Sequence, residues 1–194
     1  DRNVIYNYDE PVIRRSDRFF REDNPDPTPD APTAPEFHEQ FRDLDVLVNI
    51  HVGGRVTNLD WYEQKIEKLC ETHSTHGTVE WFFMDALSRG YKVGLTAGTD
   101  GVMGRPGACH PGRRLIRNLR NGLTAVYAKD LTREAMWEAL QARRCYATTG
   151  ERIRLLFQVN DADMGSEIET TAPPRIQFRV EGTKAIERVD LFRG

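Results

Sequence analysis

Four residues whose types suit metal or acid–base chemistry stand at comparable points of a repeating pattern: His51, Glu71, His73 and Asp100. His51 closes the apolar, β-branched run 44–50, Glu71 and His73 close the run 65–70, and Asp100 follows the run 91–97. In parallel β/α architectures the carboxyl ends of the strands converge on one face, which carries the site. The expectation is that the four side chains share a pocket there. Imidazole nitrogen with carboxylate oxygen suits Zn, Mn or Fe. Glycines flank two of the positions, in Val52-Gly53-Gly54-Arg55 and in Gly101-Val102-Met103-Gly104-Arg105-Pro106-Gly107. A glycine lets backbone approach a ligand closely. Arg55 and Arg105 are then candidate catalytic clamps, since guanidinium offers a bidentate fork to phosphate or carboxylate. Each residue alone has a plainer reading: His51 as a structural hydrogen-bonder, Glu71 as a solvated charge, His73 and His76 as caps of the next helix, Asp100 as a turn residue.

The elements that must hold these residues follow from periodicity and punctuation. Asn3-Val4-Ile5-Tyr6 reads as a short strand and residues 36–41 as a turn or two of helix. Thr78 is placed to cap a helix over 79–89, with Gly90 as its C′ residue. Residues 123–127 read as a strand, and Thr132 caps a helix over 133–143 with Ala135, Met136, Ala139 and Leu140 at helical spacing. Strands alternating with helices predict parallel β/α units. From residue 153 the pattern changes to strands alone, over 153–159, 175–180 and 186–192, joined by Asn, Asp, Gly and Pro turns. The reading is an α/β first domain over 1–150 and an incomplete β-rich, sandwich-like module over 151–194, with the boundary near Gly150. Five of the ten prolines fall in residues 21–36, which predicts an extended surface loop.

Composition narrows the function. The 194 residues carry 27 Lys and Arg against 30 Asp and Glu, a net charge of −3, which argues against bulk nucleic-acid binding. The charge is uneven. Residues 1–50 are acidic, and residues 101–121 hold Arg105, Arg113, Arg114, Arg117 and Arg120 with no acid, a segment able to attract an anion or simply a solvated loop. No apolar run approaches the roughly 18 residues of a membrane span, and no apolar leader follows Asp1. Three cysteines, Cys70, Cys109 and Cys145, without C-x-x-C spacing, predict neither a disulfide framework nor a zinc knuckle; a reducing compartment, the cytoplasm, is the expectation. No G-x-S-x-G elbow, G-x-x-x-x-G-K-[ST] loop or G-x-G-x-x-G fingerprint is present.

Several separated segments, in order, resemble the PHP (polymerase and histidinol phosphatase) superfamily: Glu71-Thr-His-Ser-Thr-His-Gly-Thr-Val-Glu-Trp81, Ala97-Gly-Thr-Asp-Gly-Val-Met-Gly-Arg-Pro-Gly107, Gly122-Leu-Thr-Ala125, Leu131-Thr-Arg-Glu134 and Arg144-Cys-Tyr-Ala-Thr-Thr-Gly150. Within it, the chain looks most like an uncharacterised bacterial branch known as a domain of unknown function. The resemblance covers residues 1–150 and extends to the β-rich tail. It implies a distorted, TIM-like β/α barrel with metal ions at the strand ends, hydrolysing phosphoesters, and it matches His51, Glu71 or His73, and Asp100 to metal-site motifs. Two departures stand out. The family's opening His-x-His motif is absent, and fewer than 150 residues are available for a barrel that takes about 250, so a partial barrel is expected. Val102 also stands where the family usually has His, and valine ligates no metal. Two functions follow as expectations: a metal-dependent hydrolase, a phosphoesterase of a small anionic substrate, or a degenerate relative that binds an anionic ligand or partner without turnover.

Overall fold

The computed structural model describes residues 2–9, 11, 31–52, 57–100 and 121–193. Its main sheet contains β1 (Arg2–Tyr6), β2 (Val46–Ile50), β3 (Glu67–Ser74), β4 (Gly77–Thr78) and β5 (Gly94–Ala97). β1 runs antiparallel to β2, with Val4 opposite Val48. β3 is parallel to β2 on one side and to β5 on the other, and β4 folds back on its end.

Strand alternation divides this sheet into two faces. Val46, Val48 and Ile50 of β2 point to one face, with Val4 and Tyr6 of β1 and Cys70 of β3. Two helices cover that face. α1 (Ala34–Phe41) contributes Phe37 and Phe41 against Val46, Val48 and Ile66. α2 (Glu80–Ser88) contributes Phe82 and Ala86 against Ile50, Cys70 and Val93. The alternate residues, Asn3, Ile5, Asn49, His51, Leu69 and Glu71, line a cavity on the other face. Across it lies α3 (Arg133–Gln141), beside the antiparallel pair β6 (Leu123–Val126) and β7 (Cys145–Thr148).

The helix boundaries show which local signals carried. α1 opens with a capping box: the Thr33 hydroxyl accepts from the Glu36 amide, and the Glu36 carboxylate accepts from the Thr33 amide at 3.1 Å. Thr132 caps α3 as expected, accepting from Ala135 N at 3.2 Å. Gly90, with φ of 78°, closes α2: its amide bonds Leu87 O and the Tyr91 amide bonds Ala86 O, a Schellman arrangement. Thr78 departs from expectation. α2 starts after Val79 with no side-chain cap. Thr78 lies in β4 instead, its hydroxyl 2.7 Å from His73 Nδ1.

The expected α/β fold, a partial TIM-like barrel, is corrected by this topology. A barrel needs each strand bonded to the next around a closed ring. Here the strands form three separate sheets, one of them mixed and two antiparallel, with three short helices and no closure among the described residues. Among the described residues, β2–β3 and β3–β5 are the parallel pairs.

Beyond β7, the strand β8 (Arg154–Val159) turns through Asn160 and Asp161 into β9 (Ala162–Asp163), and β10 (Ile176–Glu181) pairs along the other edge of β8. Asn160 and Asp161 have φ of 50° and 63°. Two successive positive φ values make the type I′ turn that suits strand twist. Residues 186–192, expected as a strand, form none; Ile186, Val189, Leu191 and Phe192 are exposed. The extended loop expected over residues 21–36 lies mostly outside the described residues. Among the described residues, no helix is long and apolar enough to cross a membrane.

Candidate functional site

The cavity behind β1–β3 has a volume of about 530 Å³, within the usual range for small-ligand sites. His51, Glu71 and Asp100 all line it. Their convergence follows from the strands: His51 is the first residue beyond β2, Glu71 lies in β3 near its end, and Asp100 is three residues beyond β5. β3 runs further than expected, to Ser74, so Glu71 is held inside a strand rather than in a loop.

Glu71 is 3% exposed and its Oε2 makes an ion pair with His51 Nδ1. Its other oxygen faces Gly98, where an added Cβ would sit 2.7 Å from Oε1. Asn3 Nδ2 lies 3.5 Å from His51 Nδ1, and the His51 carbonyl accepts from Thr57 Oγ1 at 2.7 Å. The close contact with the Glu71 carboxylate raises the pKa of His51 above the ordinary imidazole value. Burial opposes this, and the charges of Glu71 and Asp100 add to it. With a proton on Nδ1, the lone pair of His51 is on Nε2.

Asp100 forms a second carboxylate–imidazole pair, Oδ2 to His76 Nε2 at 2.8 Å. Its backbone φ of 44° is unusual for a residue with a side chain. Such a conformation persists where surroundings over-determine it, often at functional sites. Glu71 Oε2 and Asp100 Oδ2 are both buried, and each has an imidazole as its ion-pair partner. Buried charges are paired or hold a metal, so two such carboxylates lining one cavity mark it as a candidate site.

His73 is not among the residues lining the cavity. The register between β3 and β5 shifts between Glu71 and His73, so the alternation that would put both on one face is broken there. His73 is bonded to Thr78 instead, and its Cδ2 would be 2.9 Å from a Cβ on Gly122. Arg55, Arg105 and Val102 lie outside the described residues, as does most of the arginine-rich segment. Sequence reasoning missed His76 as the partner of Asp100, although it stood in the Thr72-His73-Ser74-Thr75-His76 run. It also missed Asn3 and Gly98, whose roles depend on contacts distant in sequence. Among the described residues, no three His, Cys, Asp or Glu side chains gather closely enough to hold a metal ion. The donor chemistry suits a divalent cation, with imidazole nitrogen and carboxylate oxygen in one cavity, while the described donors come as two pairs.

Comparison with known proteins corrects the expected PHP membership. A family model described as a protein of unknown function, DUF3604, matches residues 89–175. That region includes Asp100 but neither His51 nor Glu71. An uncharacterized protein of Chlamydia trachomatis serovar D is 31% identical over 163 residues, covering 81% of this chain and 25% of the relative. One from Chlamydia muridarum is 29% identical over 171 residues with the same coverage. One from Chlamydia pneumoniae is 45% identical over 78 residues, 37% of this chain and 13% of the relative. None of these findings points to the PHP superfamily. The chain spans about a quarter of the length of the first two relatives. No solved structure matches it.

Proposed function

We propose that this cavity belongs to a metal-dependent hydrolase of an anionic ester, a phosphoester in particular. The observation that supports the reading is the convergence of His51, Glu71 and Asp100 on one cavity, with Glu71 Oε2 on His51 Nδ1. Imidazole nitrogen beside carboxylate oxygen is a donor set that suits a divalent cation. His51 and Asp100 would hold the ion, with Glu71 fixing the tautomer and orientation of His51 through Nδ1, the role carboxylates play behind metal-bound histidines. Water, substrate or residues outside the described set would complete the coordination. A bound Zn, Mn or Fe ion would polarise the phosphoryl oxygen and activate a water molecule. Gly98 keeps the Glu71 carboxylate in place by offering it no side chain.

A second reading is a pocket that binds an anionic ligand without turnover. What favours it is that the described donors stand in pairs rather than in threes. In that reading His51, whose pKa is raised, supplies positive charge to the ligand.

The test is metal content and p-nitrophenyl phosphate turnover of the purified chain, after dialysis against each of the three metals. Bound metal and metal-dependent turnover, both lost in His51→Ala and Asp100→Asn, support the hydrolase. Phosphate binding without metal or turnover supports the second reading. Absence of metal, turnover and phosphate binding sinks both.

A further inference from the structure

The cavity lining is chemically mixed. His51, Glu71 and Asp100 occupy the carboxyl end of the parallel strands. Asn3, Asn49, Thr96, Thr99 and Thr124 add polar groups, and Ile5 of β1, Leu69 of β3, Val126 of β6, and Met136 and Leu140 of α3 supply apolar side chains. β1 is antiparallel to β2, with Asn3 opposite Asn49 and Ile5 opposite Leu47. Asn3 is therefore beside His51, and Ile5 lies two residues further from it. Three of the polar side chains of the lining are already engaged: Asn49 Oδ1 accepts from Thr96 Oγ1 at 2.8 Å, and Thr124 Oγ1 donates to the Ala97 carbonyl at 2.7 Å. Ile5, Val126, Met136 and Leu140 are only half-buried, although each sits between packed elements. They are accessible because they wall an open cavity.

We propose that the cavity takes a phosphomonoester of an apolar alcohol, aryl or alkyl, with the phosphate at the His51 end and the apolar group along the Met136–Leu140 wall. This rests on the functional reading above for the placement of the phosphate, and it adds the substrate class. The volume admits a ring beside a phosphate. Side chains of this kind gain by covering apolar surface, because removing apolar area from water is favourable. Met136 and Leu140 are four residues apart and lie on one face of α3. Both therefore meet the same group.

The experiment is calorimetric titration of the purified chain, with zinc present, by inorganic phosphate, methyl phosphate and phenyl phosphate. Phenyl phosphate is expected to bind about tenfold or more tightly than methyl phosphate. Met136→Ser and Leu140→Ser should each reduce that preference several-fold and leave the inorganic phosphate affinity unchanged. Leu87→Ser, on α2 and outside the cavity, should leave the preference intact. Circular dichroism melting identifies any variant that fails to fold, and the wild-type ratio stands independently of the variants. Equal affinity for phenyl and methyl phosphate, or no binding of any of the three, overturns the proposal, as does an undiminished preference in both folded cavity variants. Preference without turnover would retain the subsite and refute the hydrolase. Turnover without preference would do the reverse.

Discussion

His51 titrates under the influence of one main neighbour. The Glu71 carboxylate raises its pKa, so in the folded protein the imidazole keeps its proton to a higher pH than in the unfolded chain. The resulting stabilisation is fully present below the unfolded value of about 6.5 and is lost as pH rises through the higher folded value. An NMR titration of metal-free protein should place the His51 midpoint above about 6.5, and Glu71→Gln should lower it. A midpoint unmoved by Glu71→Gln would show that the pair does not govern His51. Gly98→Ala addresses the same pair from the other side. A Cβ placed 2.7 Å from Glu71 Oε1 must displace the carboxylate. The expected outcome is a fall in the His51 midpoint with about 1 kcal/mol of lost stability, read by titration and urea unfolding. At this scale the sequence was partly legible. His51, Glu71 and Asp100 declared themselves by type and strand-end position. The exclusion of His73 did not, because a register shift between neighbouring strands leaves no mark in the local sequence.

Helix ends were legible wherever the signal was local. Thr132 and Gly90 did what their types predict, since a cap needs only the next two or three amides. Thr78 had the same signal and was taken by a strand pairing, with Glu71–Ser74 buried against β5 rather than left as a loop. Burial by distant residues overrode the local preference. Thr132→Ala should cost about 1 kcal/mol in urea unfolding. Because α3 carries Met136 and Leu140, the same change should also weaken phenyl phosphate binding in the cavity. A stability equal to that of the wild type would mean that the Thr132 hydroxyl is replaced by solvent at no cost.

For the molecule as a whole, the expected barrel failed for a physical reason. Closure is a property of strand partners far apart in sequence, whereas alternating strand and helix patterns report only local conformation. The two-faced sheet that formed instead leaves Cys70 and Cys145 enclosed as free thiols. Burial pushes both up to about 12, and the thiolate is the reactive form. In a Cys109→Ser variant, neither remaining cysteine should react with a disulfide reagent near pH 8 until denaturant is added. Rapid labelling of the folded protein would contradict the enclosure.

The connection between β5 and β6 depends on an unusual contact. The Thr124 hydroxyl donates to the Ala97 carbonyl at 2.7 Å and accepts from the Ala97 amide at 3.0 Å. A side chain thus supplies both halves of what a neighbouring strand's peptide would give. Gly122 N to Gly98 O, at 3.0 Å, is the backbone bond beside it. A hydroxyl on a rotatable bond is a looser latch than a peptide ladder, so the β6–β7 pair should open as a unit before the main sheet does. In deuterium exchange the amides of β6 and β7 should exchange ahead of those of β3, and Thr124→Val should widen that gap and also make the Ala97 amide fast. The wall of the cavity formed by Val126 would then be its moving part, giving a ligand a way in without disturbing the His51–Glu71 pair.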